Sequence, residues 1–152
     1  MLLRLIIILC FFANIAFANE ILPKFVSLKV SEANVRTGPG TNFPVKWVYI
    51  SEHLALEVID KFDNWYKVRD HELQTGWLHK SLVGGSRYFT VIKDNANLYR
   101  NPRIGLVIFQ LKQNVRGKIK SCRSIWCNIK VDKYEGWIEK RNIFGAYTYE
   151  SF

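Results

Sequence analysis

The stretch Ala33–Gly40, ANVRTGPG, leads from a short strand-like segment into a turn in which glycine tolerates positive φ and proline fixes its own φ. It recurs 63 residues later as Ala96–Pro102, ANLYRNP. Two further stretches recur in the same order, WYKV as WCNI at an offset of 61 residues and GWL as GWI at an offset of 60. Three matches in register predict an internal repeat of two modules.

Short β-strands are the predicted element of both modules. Apolar and polar residues alternate in Val26–Val30 and Ile129–Asp132, and less cleanly in Val91–Lys93. Leu54–Ile59 is a short apolar run rich in branched residues and is followed by turn-forming residues. No segment sustains a period of 3.6 residues, so no amphipathic helix is expected. Short, closely spaced strands with turns between them predict an all-β chain of small barrels.

The module boundaries follow from the repeat. We expect module 1 at residues 25–84 and module 2 at residues 85–152, joined near Gly84-Gly85-Ser86. A module of about 60 residues has a marginal core by itself, so the two modules are expected to pack against each other.

The segment at residues 1–18 has the order of a secretory signal peptide, with Arg4, an apolar run from Leu5 to Phe12, and small residues ending at Ala18. Cleavage after Ala18 predicts an exported protein of the periplasm or cell envelope. The alternatives are a buried helix, an uncleaved anchor, and lipid attachment at Cys10. The bulky Leu9 and the early position argue against lipid attachment. The apolar run is shorter than the roughly 20 residues that span a bilayer.

Positive charge is concentrated in the second half. The chain carries a net charge of +9 at pH 7. Residues 20–84 hold eight basic and eight acidic side chains, whereas residues 85–152 hold thirteen and five, a net charge of +8. Such asymmetry indicates an anionic partner or a solvated basic face. Nucleic acid is not the expected partner of an exported protein, and contact with a membrane would be peripheral, through module 2.

Several motifs occur in order along both modules. They are Asn34–Gly40, Val45–Tyr49, Trp65–Asp70 and Gly76–Leu82 in module 1, and Cys122, Trp126-Cys127, Gly136-Trp137 and Ile143–Gly145 in module 2. Together these motifs resemble the bacterial SH3-like family, in particular its exported tandem type found in proteobacteria. The resemblance spans most of the chain after residue 24 and implies five to seven short strands per module and a non-catalytic binding role. Module 2 has Tyr99-Arg100-Asn101-Pro102 where module 1 has Arg36-Thr37-Gly38-Pro39, so a shared ligand site is not implied.

Arg36 and Asp70 are candidate ligand-binding residues. Arg36 follows a strand and enters a loop stiffened by Pro39, and Asp70 follows the strand that starts at Trp65. One interpretation is a structural ion pair or a clamp on the loop. The other places both on the rim of a ligand groove, where arginine would bind a peptide carboxylate with two hydrogen bonds.

Trp47 and Trp65 complete the candidate groove of module 1. Most aromatic residues, especially Trp77 and Trp137 after glycine, are expected to be core or semi-core residues of the small barrels. A minority on the loop face would offer a platform for sugar or peptide, because rigid rings supply contact area at low entropic cost.

Cys122 and Cys127 are predicted to form a disulfide between neighbouring strands, since facing residues lie within disulfide reach and exported compartments are oxidising. The alternative is a pair of free, buried thiols. The spacing is not that of a zinc site, and neither a metal nor a cofactor is expected.

Motifs of common hydrolases and phosphate-binding loops are absent from the sequence, so no enzymatic activity is expected. The predicted function is binding of peptidoglycan or its stem peptides at the cell envelope. The alternative is a scaffold or regulatory partner of another envelope protein.

Overall fold

The computed structural model describes residues 20–152, so the predicted signal segment at residues 1–18 lies outside the described residues. The chain forms two seven-stranded antiparallel sheets, which confirms the predicted all-β class and its two modules. The strands of module 1 are β1 Lys24–Leu28, β2 Ala33–Arg36, β3 Val45–Tyr49, β4 Ala55–Phe62, β5 Trp65–Arg69, β6 Thr75–His79 and β7 Val83–Gly84. Those of module 2 are β8 Tyr88–Val91, β9 Ala96–Tyr99, β10 Val107–Leu111, β11 Arg116–Arg123, β12 Trp126–Val131, β13 Tyr134–Glu139 and β14 Ile143–Phe144.

Both sheets have the same strand order. Module 1 runs β3-β2-β6-β5-β4-β1-β7 and module 2 runs β10-β9-β13-β12-β11-β8-β14. A 3-10 helix precedes the last strand in each, at Lys80–Leu82 and Lys140–Asn142. Within residues 20–152, no helix has the length and apolar character needed to cross a membrane. The sequence repeat therefore corresponds to a repeat in topology.

Each module has its own core, built from the apolar side chains that alternate inward along the strands. Leu28, Leu56 and Val68 are fully buried in module 1, and Phe89, Leu98 and Ile138 are fully buried in module 2. One strand lies earlier in the chain than its predicted segment, Val91–Lys93. β8 ends at Val91 because the polar residues after Ile92 form a turn, in which Asn95 has a φ of 56°.

The modules pack against each other through an aromatic and polar contact. The Phe25 ring lies edge-on to Phe144, with 5.0 Å between ring centres, and 4.6 Å from Tyr147. The Tyr147 hydroxyl donates a 2.7 Å hydrogen bond to Glu57, a buried carboxylate that also accepts two hydrogen bonds from Arg69. This contact fixes module 2 against the β1–β4–β5 face of module 1.

Candidate functional site

Arg36 holds the loop that joins β2 to β3. Its Nη1 donates hydrogen bonds to the carbonyl oxygens of Thr41, at 3.2 Å, and Phe43, at 2.7 Å. Gly38 allows the loop to close tightly against the Phe43 ring. A Cβ at this position would lie only 2.4 Å from the ring, so a larger residue would clash. Arg36 therefore acts as the backbone-bonded clamp that the sequence allowed.

Asp70 is buried and fully engaged by its own module. Its Oδ2 accepts a 2.9 Å hydrogen bond from the Tyr49 hydroxyl, and its Oδ1 accepts from the backbone N–H groups of Glu72 and Gln74, at 3.0 Å each. Burial, together with the charge of Asp70, raises the pKa of Tyr49. Asp70 therefore lies in the turn between β5 and β6 and not, as predicted, on the rim of a groove. Within residues 20–152, it makes no ion pair with Arg36.

Trp47 and Trp65 lie on strands β3 and β5, which β2 and β6 separate in the sheet. Trp47 packs partly against the core and stands edge-on to Tyr49, which connects it to Asp70. Trp65 stands edge-on to His79, with 5.4 Å between ring centres. Trp65 begins β5 and Asp70 follows its end, so their backbones are about 16 Å apart along an extended strand. The four predicted residues thus do not form one groove.

The structure shows a different concavity on the outer surface of β6 and its neighbours. It has a volume of about 220 Å³ and brings Arg36 together with Lys46, Lys67 and Trp77. Gly76 allows β6 to approach β2 here, because a Cβ would lie 2.3 Å from Val35. We call this concavity the module 1 groove. The remaining lining residues are Thr37, Thr75 and Gly76.

The module 1 groove is cationic. Lys46 Nζ donates to the Thr75 carbonyl oxygen at 3.0 Å and lies 4.9 Å from the centre of the Trp47 ring. Lys67 has no side-chain hydrogen bond or ion pair to any residue that the structure describes, and no acidic residue lines the groove. Three positive charges around a concavity, one of them unpaired, suit an anionic group such as a carboxylate.

Sequence reasoning identified Arg36 but missed Lys46, Lys67 and Trp77 as its neighbours. A signal was present, because Lys67 lies between Trp65 and Val68 on a strand whose alternate residues point outward. The register then places Lys67 opposite Trp77, and Trp77 opposite Arg36.

Cys122 and Cys127 form the predicted disulfide, with 4.1 Å between their Cα atoms. They face each other across β11 and β12, as Lys61 and Tyr66 do across β4 and β5. Over residues 20–152, no three His, Cys, Asp or Glu side chains cluster in a way that would hold a metal ion. The absence of a metal or cofactor stays a prediction.

Comparison with solved structures finds partial likeness. NlpC2 from Trichomonas vaginalis is 14% identical, with 85% of this chain and 50% of that chain covered and a TM-score of 0.38. An NlpC/P60 family protein from Bacillus cereus is 16% identical, with 82% and 57% covered and a TM-score of 0.38. The chain thus spans about half the length of these proteins. No curated protein matches it. A family model described as a bacterial SH3 domain matches residues 29–85 and again residues 92–145.

Proposed function

The chain belongs to the bacterial SH3 domain family, and from that premise we propose that it is an exported, non-catalytic binding protein of the cell envelope. Its proposed ligand is peptidoglycan, recognised through carboxylates of the stem peptides. The observation that carries the proposal is the module 1 groove, where Arg36, Lys46 and Lys67 surround a concavity without an acidic residue.

Module 2 supports the same function by its charge. Its net charge of +8 attracts an envelope polymer rich in carboxylates, and this attraction is screened over about 8 Å at physiological salt. Two weak contacts on one chain also reinforce each other on a repeating polymer. The disulfide suits an oxidising compartment outside the cytoplasm.

A protein partner is the second candidate, and the edge strand β3 favours it. β3 has a neighbour on one side only within its sheet. Val45 and Val48 on this strand and Ile50 just after it are exposed, with Ile50 at 81%. An unpaired strand edge with apolar side chains is a surface to which an extended segment of another protein can add.

Sedimentation of the exported protein with purified insoluble peptidoglycan tests the proposal. Lys67→Gln is the informative variant, because Lys67 has no structural partner whereas Arg36 also holds its loop. Lys29→Gln removes the same charge from an exposed position outside the groove. We expect the Lys67 variant to lower the bound fraction severalfold at about 0.15 M salt, and the Lys29 variant to bind as the unaltered protein does.

Equal losses for the two variants would contradict the assigned groove. No sedimentation at any salt concentration would reject peptidoglycan and leave the protein partner. Crosslinking of envelope extracts with a probe placed at Ile50 would then test the β3 edge.

A further inference from the structure

A second concavity lies in module 2, between the loop that joins β9 to β10 and the turn that joins β11 to β12. Its volume is about 330 Å³, larger than that of the module 1 groove. We call it the arginine cleft. It is lined by Pro102, Arg103, Arg123, Ser124 and Trp126.

Both arginines of the cleft lack an acceptor. Within residues 20–152, neither the Arg103 nor the Arg123 guanidinium makes a hydrogen bond or an ion pair. Arg123 is nevertheless held in place, since its guanidinium carbon lies 4.3 Å from the centre of the Trp137 ring. Stacking occupies the face of a guanidinium and leaves the N–H groups on its edge free to donate.

The cleft has no acidic residue in its lining. Glu139, which faces Trp126 across β12 and β13, forms a 2.6 Å ion pair with Arg141. Trp126 supplies an aromatic wall and stands edge-on to Tyr99, with 5.3 Å between ring centres. An anion in the cleft would therefore meet two unpaired cations and one supported ring.

Module 1 lacks this arrangement at the same register. The two-residue turns follow Phe62 in module 1 and Arg123 in module 2, and Asp63 stands where module 2 has Ser124. An anion at the module 1 turn would thus meet an apolar ring and a carboxylate. The cationic character is specific to module 2.

We propose that the arginine cleft is a binding site for a carboxylate carried beside a flat apolar face. The two guanidinium edges hold the carboxylate oxygens with paired hydrogen bonds, and the apolar face lies against Trp126. Two sources have this chemistry, a sugar that bears a carboxylic acid and the free carboxyl end of a peptide. The site goes beyond the proposed function, which rests on the module 1 groove and supplies only the choice of probes.

Nuclear magnetic resonance titration of the full chain tests the site, with the Trp126 indole N–H signal as the readout. The sugar probe is N-acetylmuramic acid, and its neutral match is N-acetylglucosamine. The peptide probe is an N-acetylated dipeptide acid, and its match is the same dipeptide as the amide. We expect at least one acid to shift the Trp126 signal and its neutral match to leave it unchanged.

The variants separate recognition from net charge. Arg103→Gln combined with Arg123→Gln is expected to weaken binding of the acid at least about tenfold. Lys93→Gln combined with Lys112→Gln removes two charges from exposed positions elsewhere in module 2 and should leave binding nearly unaltered. Because Arg123 also packs on Trp137, Arg103→Gln alone is measured as well and should weaken binding without disturbing the fold.

The titration tests the arginine cleft independently of whether the protein binds peptidoglycan. A shift with only one acid shows whether the ligand is a sugar acid or a peptide carboxyl end. Shifts with both acids show that the carboxylate is the recognised group. Either result supports the site if the arginine variants abolish the shift. No shift by either acid, an equal shift by the neutral matches, or equal losses in both double variants would overturn it. A titration that succeeds while sedimentation with peptidoglycan fails would reject the proposed function and retain the site.

Discussion

Modules 1 and 2 place opposite chemistry at equivalent register positions of their two sheets. Val58 faces Val68 in module 1 as Ile119 faces Ile129 in module 2, so the neighbouring pairs also correspond. Module 1 has Glu57 opposite Arg69, in a 2.6 Å ion pair covered by Tyr147. Module 2 has two exposed lysines at that position, Lys118 opposite Lys130. Module 1 uses these charges for the contact between modules, and module 2 leaves its charges facing solvent.

The loops show the same division. Arg36 binds two carbonyl oxygens of its own loop in module 1. Module 2 has Tyr99 at the corresponding position, where its ring contacts Trp126 instead. The cations near this loop, such as Arg103, are thus free to meet a ligand. At these equivalent positions, module 1 uses its charged side chains for contacts within the protein, whereas module 2 presents a cationic surface to solvent.

Replacing Glu57 with alanine should have the largest effect on this comparison. It leaves Arg69 and the Tyr147 hydroxyl without their buried acceptor, and we expect a loss of about 3 kcal/mol in the free energy of unfolding. Lys118→Ala, at the equivalent position, should change stability by less than about 0.5 kcal/mol. Urea unfolding measures both. Similar losses of unfolding free energy would contradict the inferred difference between the two positions.

Lys140 and Lys80 give the next largest contrast, since both begin the 3-10 helix of their module. Lys140 is buried, with its Nζ donating to the carbonyl oxygens of Ser124, Thr148 and Glu150. Burial lowers the pKa of this amine. Lys140→Met should cost about 2.5 kcal/mol by leaving the carbonyls short of a donor.

Lys80 is exposed, so Lys80→Met should be almost neutral. Hydrogen exchange of the amides in β11 and β12 would locate the loss in module 2. A comparable effect of the Lys80 variant would contradict the special role of Lys140.

Removing the disulfide should destabilise module 2 alone. Serine at both Cys122 and Cys127 releases a short loop, which corresponds to about 2 kcal/mol. Module 1 has Lys61 and Tyr66 at the matching positions and is its own control. Hydrogen exchange of this variant and of the unaltered chain compares the modules, and equal loss of protection in β4 and β11 would contradict the prediction.

The smallest expected effect is a pH dependence confined to the end of module 2. Burial raises the pKa of Glu150, but hydrogen bonds from Arg87 and the Tyr147 N–H lower it on balance, below its ordinary value of 4.5. The folded pKa is lower than the unfolded one, so the stabilisation is present above pH 4.5 and is lost as pH falls through the folded pKa.

Glu150→Gln should therefore cost about 1 kcal/mol at neutral pH, and the difference from the unaltered chain should shrink in acid. Urea unfolding across the pH range measures it. A difference that stays constant below pH 4.5 would exclude this carboxylate as its source.

The sequence predicted the repeat, the all-β class and the cysteine pair because each depends on local spacing. Cys122 and Cys127 are five residues apart, and a two-residue turn brings such residues face to face. The partners of Glu57 and Asp70 could not be predicted this way. Tyr147 lies 90 residues from Glu57 and Tyr49 lies 21 from Asp70, and neither separation produces a periodic pattern.

The sequence also could not predict whether each loop arginine is hydrogen-bonded within its own loop. Arg36 is engaged because the carbonyl oxygens of Thr41 and Phe43 turn toward it, which depends on the path of the loop. Arg103 lies in the equivalent loop of module 2 and has no such acceptors. Both residues are arginines, so residue type alone cannot show which of them is bound by its own loop. Register, once known, does show that Arg123 replaces Phe62 beside the turn.

The fixed contact between a neutral module and one of charge +8 gives the molecule a permanent electric dipole. Such a molecule turns as it approaches a negative surface, so that module 2 leads before any atoms touch. Orientation during approach raises the rate of productive encounter and leaves the lifetime of the complex to short-range contacts. Added salt would then slow association much more than it hastens dissociation, and the ionic strength around the protein would set how quickly it finds its target.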